Sequence, residues 1–446
     1  TSVTLHLKEV AEEDGLRDYT DARVVSEIVK RYSDFVGYPI RLGDGEPINS
    51  MKAIWARPTS DVSEEEYAQF YKHVSHDWND PRLRVSTKIE GTFEASALLF
   101  VPSQAPMDLY VPTMSQRGVQ LYVKRVFIMD DCRELMPSYL RFVRGVVDAE
   151  DLPLNVSREI LQENRQIKAI RKHLVKKVLD RLGAHLQDDA DGYRELWADF
   201  GPVLKEGLLL TGDRNERILD LMLAKTTNSA EPTTLADYVS RMKEGQKAIY
   251  YLTGSNESKL RASPVIEGLV EQGLEVLLFC DQVDEVWLGQ GGFAYKDVEL
   301  RSAAQGELEE DEAEPAVAEL GDLLLAIRSV LQDEVKEVRL STRLTKSPAC
   351  LVNSKGDLTP QMEALLRASG QTVPDTKRVL ELNGKHPVIE LLQRRFEASS
   401  SDPLVGSYAH LLYGQAVLAE GGELREPVEF ARLVADLMVT AAGENS

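Results

Sequence analysis

The fold class of this chain is set by two stretches, Ala248-Ile249-Tyr250-Tyr251-Leu252 and Glu275-Val276-Leu277-Leu278-Phe279-Cys280. Each is a short apolar run with β-branched or aromatic residues, which is typical of a strand buried on both faces. A helical pattern over 265–272 lies between them. Strand, helix and strand at this spacing predict a parallel pair joined by a crossover.

Upstream of these stretches, strand and helix patterns alternate in the same way. Strands are predicted at 3–7, 97–101, 119–123 and 126–129, and helices at 24–32, 64–73, 160–182 and 235–244. Such alternation predicts an α/β (α+β) fold with layered architecture.

The C-terminal third follows an acidic run and ends in apolar helices. Six of the eight residues from Glu307 to Glu314 are acidic, which predicts a solvated link. Apolar residues at helical spacing then predict one helix through 320–331, another beginning near Tyr408, and a last one through 430–438. The last two stripes need a partner surface, which is either the rest of this domain or the same helices of a second protomer.

The charge and the cysteines limit the possible functions. The chain has 446 residues and a formal net charge of −21, from 52 Lys+Arg against 73 Asp+Glu. This excess repels phosphate, so the chain is a poor general binder of nucleic acid or anionic lipid. The apolar runs are too short to cross a membrane. Cys132, Cys280 and Cys350 are far apart, which favours a reducing cytoplasm and predicts three small buried thiols.

Motifs of the common catalytic folds are missing from the sequence. It has no glycine-rich phosphate loop, no dinucleotide-binding fingerprint and no Gly-x-Ser-x-Gly elbow. His73 and His76 have helical spacing but lack a convincing third ligand beyond Asp77 and Asp80, so we predict no metal site. The glycine-rich segment 289–292 is predicted to be a turn.

The segment 148–162 and the helix after it concentrate positive charge. Pro153 disfavours helix just before it, and Asn155 or Ser157 can cap the helix that follows. That helix carries several cations opposed by few acids: Arg165, Lys168, Arg171, Lys172, Lys176, Lys177 and Arg181. Arg158, in a loop at a helix N-terminus, suits an anion such as phosphate. The alternative is a solvated basic face with Arg158 in a structural salt bridge.

Several long stretches match one known family. They are 53–57 (AIWAR), 66–81, 98–102 (LLFVP), 122–128 (YVKRVFI), 139–148 (YLRFVRGVVD), 152–162 (LPLNVSREILQ), 238–246 (YVSRMKEGQ) and 249–251 (IYY). Through them the chain resembles the ninety-kilodalton heat-shock chaperone family, most closely its bacterial form, over nearly its whole length.

The resemblance implies a domain order. Residues 1–10 would be the last strand of an N-terminal ATP-binding domain that is otherwise absent from this sequence. Residues 11–303 would be the middle domain, with a larger layered α/β/α part over about 11–185 and a helical link and smaller α/β part over about 186–303. An acidic linker at 304–317 would lead to a mixed α/β C-terminal dimerisation domain at 318–446 that ends in helices.

The resemblance also implies catalytic roles in the intact protein. Arg158 matches an arginine that reaches the γ-phosphate of ATP, and Asn155 and Gln162 match flanking positions of the same loop. Thr1 matches the threonine of the family's last nucleotide-contacting pair. ATP with Mg²⁺ is therefore the expected ligand of the intact protein, whereas the chain alone should bind none and show no ATPase activity. An arginine supplied by a second domain makes hydrolysis depend on domain closure.

Client-binding and dimerising residues follow from the same resemblance. Trp55 matches a tryptophan implicated in client contact, although a buried core role explains it equally well. Trp287 stands one position beyond a second such tryptophan. The 347–364 stretch matches a client-facing amphipathic helix and its loop, and carries Leu351, Leu358 and Met362. The terminal stripes match the dimerising helices: Tyr408, Leu411, Leu412, Phe430, Leu433, Val434, Leu437 and Met438.

We therefore expect the client-binding and dimerisation portion of an ATP-dependent clamp that assists folding of non-native proteins under stress. Its expected partners are a second protomer, client proteins and a partner chaperone system, with no membrane and no specific nucleic acid. The alternative is a polyanion or nucleic-acid binding module that uses the basic helix 165–181, which the net charge and the lack of interleaved aromatic residues disfavour. A free-standing metabolic enzyme would need paired acid–base residues, and none stands at a recognisable spacing.

Overall fold

The computed structural model describes residues 1–7, 17–91, 93–109, 118–150, 152, 165–210, 216–305, 316–354, 356–373 and 376–443. The chain divides into two compact units, Thr1–Gly207 and Leu208–Ser446. The domain bounds implied by the family resemblance remain predictions.

A mixed five-stranded sheet forms the centre of the first unit. Its strands are β1 (Leu83–Ile89), β2 (Ala95–Val101), β3 (Val119–Val123), β4 (Val126–Met129) and β5 (Arg144–Ala149). Their spatial order is β1-β2-β5-β3-β4. Strand β5 pairs antiparallel with β2 and parallel with β3, and every residue in it is buried.

Helices cover this sheet. They are α1 (Ala22–Tyr32), α2 (Glu64–Ser75), α3 (Arg165–Asp188) and α4 (Ala190–Lys205). Helix α2 begins with a capping box between Ser63 and Glu66, which satisfies the first free backbone N–H groups. Because side chains alternate along a strand, Leu98 and Phe100 of β2 join an aromatic core with Phe70 of α2.

The long helix α3 lies against β1. The Thr87 hydroxyl of β1 and the His173 ring of α3 are hydrogen-bonded, with Oγ1 and Nε2 2.9 Å apart. Helix α3 buries Ile170, Leu174 and Leu182 at helical spacing. This packing, together with the α2 core, gives the layered arrangement that the sequence predicts.

A six-stranded mixed sheet begins the second unit. Its strands are β6 (Leu223–Thr226), β7 (Thr233–Thr234), β8 (Ala248–Thr253), β9 (Val276–Phe279), β10 (Ala294–Tyr295) and β11 (Val298–Ser302), in the order β10-β11-β8-β9-β6-β7. Its helices are α5 (Gly207–Leu210), α6 (Glu216–Leu221), α7 (Leu235–Ser240), α8 (Glu257–Arg261), α9 (Glu267–Glu271) and α10 (Gln282–Gly289). Strands β8 and β9 are parallel, with Tyr250 opposite Val276, so the parallel pair predicted from their two sequences is confirmed.

A smaller sheet and five helices complete the second unit. They are α11 (Ala316–Val330), β12 (Val335–Leu340), β13 (Ala349–Val352), α12 (Pro360–Ala368), β14 (Arg378–Leu382), α13 (Pro387–Ala398), α14 (Pro403–Ala419) and α15 (Pro427–Gly443). The strand order is β12-β14-β13, parallel at the first pair and antiparallel at the second. The sheet, α11, α13 and α14 share one apolar core.

Several local predictions differ from the structure, among them the start of α14, which is Pro403 rather than a residue near Tyr408, and the end of α3, which is Asp188 rather than residue 182. Residues 3–7 are not in a strand, and the side chains of Val3 and Leu5 are exposed. Helix α7 ends at Ser240 rather than near Glu244, because the next backbone N–H groups, those of Arg241 and Met242, bond three residues back to Tyr238 and Val239 and tighten the last turn. Cys280 is exposed, whereas Cys132 and Cys350 are buried as predicted.

Candidate functional site

The predicted catalytic loop follows strand β5 and precedes helix α3. Arg158, Asn155 and Gln162 lie outside the described residues. The structure therefore gives the frame on either side of this loop rather than the loop itself.

On the near side of this frame, strand β5 carries a buried carboxylate, Asp148, close to its end. Asp148 is 6% exposed and accepts two hydrogen bonds from neutral donors. The Trp55 indole Nε1 donates to it over 2.9 Å, and the backbone N–H of Arg125 donates over 3.0 Å. Arg125 belongs to the β3–β4 turn, where Lys124 and Arg125 both have positive φ.

Trp55 is consequently a core residue in this structure. It is 3% exposed, and its ring packs near those of Phe35, Phe70 and Tyr122, with centroids 4.8–5.6 Å away. Its indole nitrogen already has a partner in Asp148. The sequence suggested either client contact or a core position, and the observed packing is that of a core residue.

The far side of the frame is the basic face of α3. Arg165, Lys168, Arg171, Lys172 and Lys177 are exposed, and no acidic residue stands between 165 and 179. Burial, and to a smaller extent Coulombic repulsion from Lys177 and Lys176, lowers the pKa of His173 on the same helix. The predicted local excess of positive charge is therefore present on the described surface.

Thr1 lies on the exposed N-terminal segment. Residues 1–7 are all exposed and have no regular secondary structure. The other residue predicted to contact the nucleotide, Arg158, lies outside the described residues.

Trp287 of α10 is also a core residue. It is 0% exposed, its Nε1 donates to Asp284 over 2.9 Å, and its ring meets Phe279 and Phe293 edge to face. Both tryptophans thus share one design, in which a buried carboxylate accepts the indole N–H. Asp284 stands three positions before Trp287 on the same helix, whereas Asp148 is 93 positions from Trp55, so the sequence carries no sign of the Asp148–Trp55 pairing.

The predicted client-facing stretch contains a strand as well as a helix. Leu351 lies in β13 and is 1% exposed, so the structure places it in the core rather than on a surface. Leu358 is 37% exposed, and Met362 is half-buried on α12, a helix with no buried residue. Leu358 and Met362 therefore have access to a partner, whereas Leu351 does not.

Helix α12 is fastened to α10 by a residue pair that sequence reasoning missed. The Thr359 hydroxyl, which caps α12, donates to Oε2 of Glu285 over 2.6 Å. Burial raises the pKa of the Glu285 carboxyl, and the hydroxyls of Thr359 and Thr253 partly offset this. The capping pattern of Thr359 was visible in the sequence, but its partner 74 positions away was not.

The two predicted dimerising helices differ in burial. On α14, Leu412 is buried, whereas Tyr408 and Leu411 are half-buried. The α15 positions are all at least partly accessible: Phe430, Leu433, Val434 and Leu437 are half-buried, and Met438 is 68% exposed. The structure brings Phe430 onto α14, because a Cβ at Gly414 would lie 2.5 Å from the Phe430 ring.

The described part of the chain contains neither a candidate metal centre nor a candidate membrane-spanning helix. No group of three or more His, Cys, Asp or Glu side chains is placed there to hold a metal. Within the same ranges, no helix is both long and apolar enough to cross a bilayer.

Comparison with known proteins identifies the family. The model of the family described as "Hsp90 protein" matches residues 42–446. The chain is 48% identical to the chaperone protein HtpG of Frankia casuarinae over 477 aligned residues, which cover 99% of this chain and 73% of that protein. It is 49% identical to the HtpG proteins of Salinispora tropica and Mycobacterium avium, each covering 98% of this chain and 72% of the relative. The chain therefore belongs to the Hsp90 family of molecular chaperones, which act in protein folding and the stress response.

Proposed function

We propose that this chain forms the client-binding and dimerising arms of an ATP-dependent clamp. One observation carries the proposal: two separate apolar surfaces in the second unit remain accessible on a single chain. One is the α15 stripe, and the other is the edge that bears Leu358 and Met362.

The α15 stripe supports self-association. Met438 of the stripe is 68% exposed, its other four positions are only half-buried on a single chain, and leaving such side chains in water is unfavourable. An apolar helical stripe that stays accessible on a single chain is typical of an interface. In a homodimer, the same patch of the second protomer would cover it.

The edge with Leu358 and Met362 supports client binding. Met362 has an unbranched, polarizable side chain, which suits a surface that must accept many sequences. Replacing both residues by serine should lower the protection of an aggregating client at least several-fold. The matched control is Ala368→Ser, an exposed position on the same helix. Equal protection by the double variant and the control would remove this surface from the proposal.

ATP would be the nucleotide that the clamp binds and hydrolyses. The exposed cations at the start of α3 give this side of the frame a positive charge that suits a polyphosphate. We assign Arg158 to the γ-phosphate, where its guanidinium would stabilise charge that develops as the phosphoryl group transfers to water. Asn155 and Gln162 would hold the loop, and Thr1 would contribute only beside an ATP-binding domain.

The test of this assignment compares two arginines in protein that carries the ATP-binding domain. Arg158→Ala should lower kcat for ATP hydrolysis at least 100-fold while changing the Kd for ATP little. Arg23→Ala, an exposed arginine on α1, is the control. An Arg158→Ala variant that hydrolyses ATP at the normal rate would refute the assignment.

The exposed basic face of α3 keeps one second function open to test, which is polyanion binding. Binding of DNA, RNA or polyphosphate should then weaken steeply with salt and be lost in Lys168→Glu with Lys172→Glu. The net charge of −21 opposes this function, so we expect no binding at physiological salt.

A further inference from the structure

The first unit leaves one tryptophan in water. Three of the four tryptophans in the chain are at most 8% exposed: Trp55, Trp197 and Trp287. Trp78, in contrast, is 87% exposed. Burying a ring of this size strongly stabilises a folded chain, and Trp78 makes almost no such contribution. Because tryptophan is among the side chains that contribute most to affinity in protein interfaces, the exposure of Trp78 favours a role in binding over a role in folding.

The loop that carries Trp78, residues 76–82, is held by hydrogen bonds on both sides of the ring. The hydroxyl of Tyr71, a fully buried residue, donates to Oδ2 of Asp77 over 2.6 Å. Oδ1 of the same carboxylate accepts from the backbone N–H of Asn79 over 3.0 Å. A loop that is ordered before binding loses little conformational entropy when a partner arrives. The protein therefore presents Trp78 on a preorganised turn.

A second exposed apolar side chain, Met107, follows the neighbouring strand. It is 87% exposed as well. Strands β1 and β2 are antiparallel, and Leu83 at the start of β1 stands opposite Val101 at the end of β2. The loop before β1 carries Trp78, and the loop after β2 carries Met107, so both loops leave the same end of this strand pair.

Arg82 joins these two loops to each other and to helix α4. Its Nη2 donates to the carbonyl of Ser103 over 3.1 Å. Its Nη1 donates to the carbonyl of Gly192 over 2.9 Å and to Oε2 of Glu195 over 3.0 Å. One side chain, 19% exposed, thus fixes three segments, and the two exposed apolar residues stand on a common support.

The ion pairs beside these loops turn their negative side towards water. They are Lys72–Asp80, Arg82–Glu195 and Arg194–Asp191. The side chains of the three acids are 73–92% exposed, whereas those of the three cations are 19–38% exposed. The charge that these pairs present to a partner is therefore negative. Such a field attracts cations, and the open face of an indole ring does so too.

We propose that Trp78, Met107 and these three outward acids form a docking surface for client segments that combine apolar with cationic side chains. Two apolar side chains bury too little area for a permanent complex, which suits a client that must be released. The proposal rests on the client binding proposed above. It adds a contact on the first unit, with a preference for positive charge.

Trp78 can report its own occupancy in the full chain. The neutral quencher acrylamide reaches exposed tryptophan, so it quenches mainly Trp78 while the other three rings are buried. The chain is titrated with two short synthetic peptides that share the same leucines and valines and lack aromatic residues. One peptide is flanked by lysines and the other by glutamates. The lysine peptide should protect Trp78 from acrylamide, salt should weaken this protection, and the glutamate peptide should give none.

Variants then show which side chains make the contact, with the Kd measured from the fluorescence anisotropy of labelled lysine peptide. Trp78→Ser should raise this Kd about 10-fold, because it removes the proposed central contact. Asp80→Asn should raise it about 2-fold, as expected for one exposed charge. The matched control is Tyr38→Ser, which removes another exposed aromatic ring of the same unit and should change nothing. Neither Trp78 nor Tyr38 belongs to the core, so the variants keep the fold.

Four results would overturn the proposal: binding that leaves the quenching of Trp78 unchanged, an equal Kd in Trp78→Ser and Tyr38→Ser, equal binding of both peptides, or binding of neither. The double variant Leu358→Ser with Met362→Ser should bind the lysine peptide normally. A peptide that loses affinity in this double variant, but not in Trp78→Ser, would support client binding at the α12 edge and remove the Trp78 surface. Failure of this proposal is therefore distinct from failure of client binding itself.

Discussion

The helices α14 and α15 carry similar apolar stripes and have different environments. Both span 17 residues and begin with proline at the first helical position. On α14, Val405, Ala409 and Leu412 are at most 4% exposed, whereas on the α15 stripe Met438 is 68% exposed and the other positions are half-buried. An apolar stripe thus shows that a helix has a partner, but not whether the partner belongs to the same chain.

The largest effect is expected from charges placed on the α15 stripe. Leu433→Glu combined with Leu437→Glu places two charges in the proposed dimer interface, where they would lose their hydration. We expect the Kd of the dimer to rise at least 100-fold, measured by light scattering over a dilution series.

Ala435→Glu is the control for this experiment, because Ala435 is exposed on the same helix and lies off the stripe. A double variant that remains as dimeric as this control would place the dimer interface elsewhere.

The next effect concerns α14. Leu412→Ala removes a side chain that is 2% exposed, so it should lower the free energy of unfolding by about 2–5 kcal/mol. Leu437→Ala should cost about 1 kcal/mol or less in monomeric protein, because its side chain is only half-buried there. Urea unfolding at low protein concentration measures both, and equal losses would contradict the difference in burial.

A smaller effect is expected where the two helices touch. Gly414→Ala should destabilise the protein by about 1–3 kcal/mol, because the added Cβ meets the Phe430 ring. Helix propensity alone would predict a gain of about 1 kcal/mol.

Phe430→Ala removes the obstacle, so Gly414→Ala should be neutral or stabilising in that background. Thermal unfolding of the unchanged protein, the two single variants and the double variant measures the coupling free energy between positions 414 and 430. A Gly414→Ala variant that is stabilised without Phe430→Ala would show that the helices are not in tight contact.

The smallest effect is a pH dependence at the end of α14. Burial raises the pKa of Glu420 to about 7, although the charge and hydrogen bond of Arg378 act against this. A raised carboxyl pKa means that the folded state binds the proton more tightly than the unfolded state. The resulting stability is present below about pH 4.5 and is lost as the pH rises towards 7.

Glu420→Gln removes this titration, so its free energy of unfolding should fall less between pH 5 and 7, by about 1–3 kcal/mol. Urea unfolding at several pH values measures this slope. Parallel curves for the two proteins would contradict the raised pKa.

The elements with strong periodicity were predictable from the sequence. Helix α1 was predicted to end at Tyr32 and does so, and the β8–β9 crossover follows from two apolar runs. Residues 3–7 were mispredicted as a strand, because alternation alone cannot supply the neighbouring strand that its hydrogen bonds require.

The candidate site was predictable in its residue types but not in its contacts. The family resemblance named Trp55, Trp287 and Leu351 as client residues, and the structure packs all three inside. Burial depends on which distant side chains surround a residue, such as Asp148 around Trp55, and local sequence carries no such information.

The sequence by itself determined the α/β class, the apolar stripes, the excess negative charge and the family. These properties are local or additive, since each depends on residue types and their spacing along one chain. Only the tertiary structure decided that the core-facing side of α14 is buried while every position of the α15 stripe stays at least partly accessible. It alone also placed Arg82 against Glu195, 113 positions away. The physical reason is that burial and hydrogen bonding are properties of pairs, and folding chooses the partners.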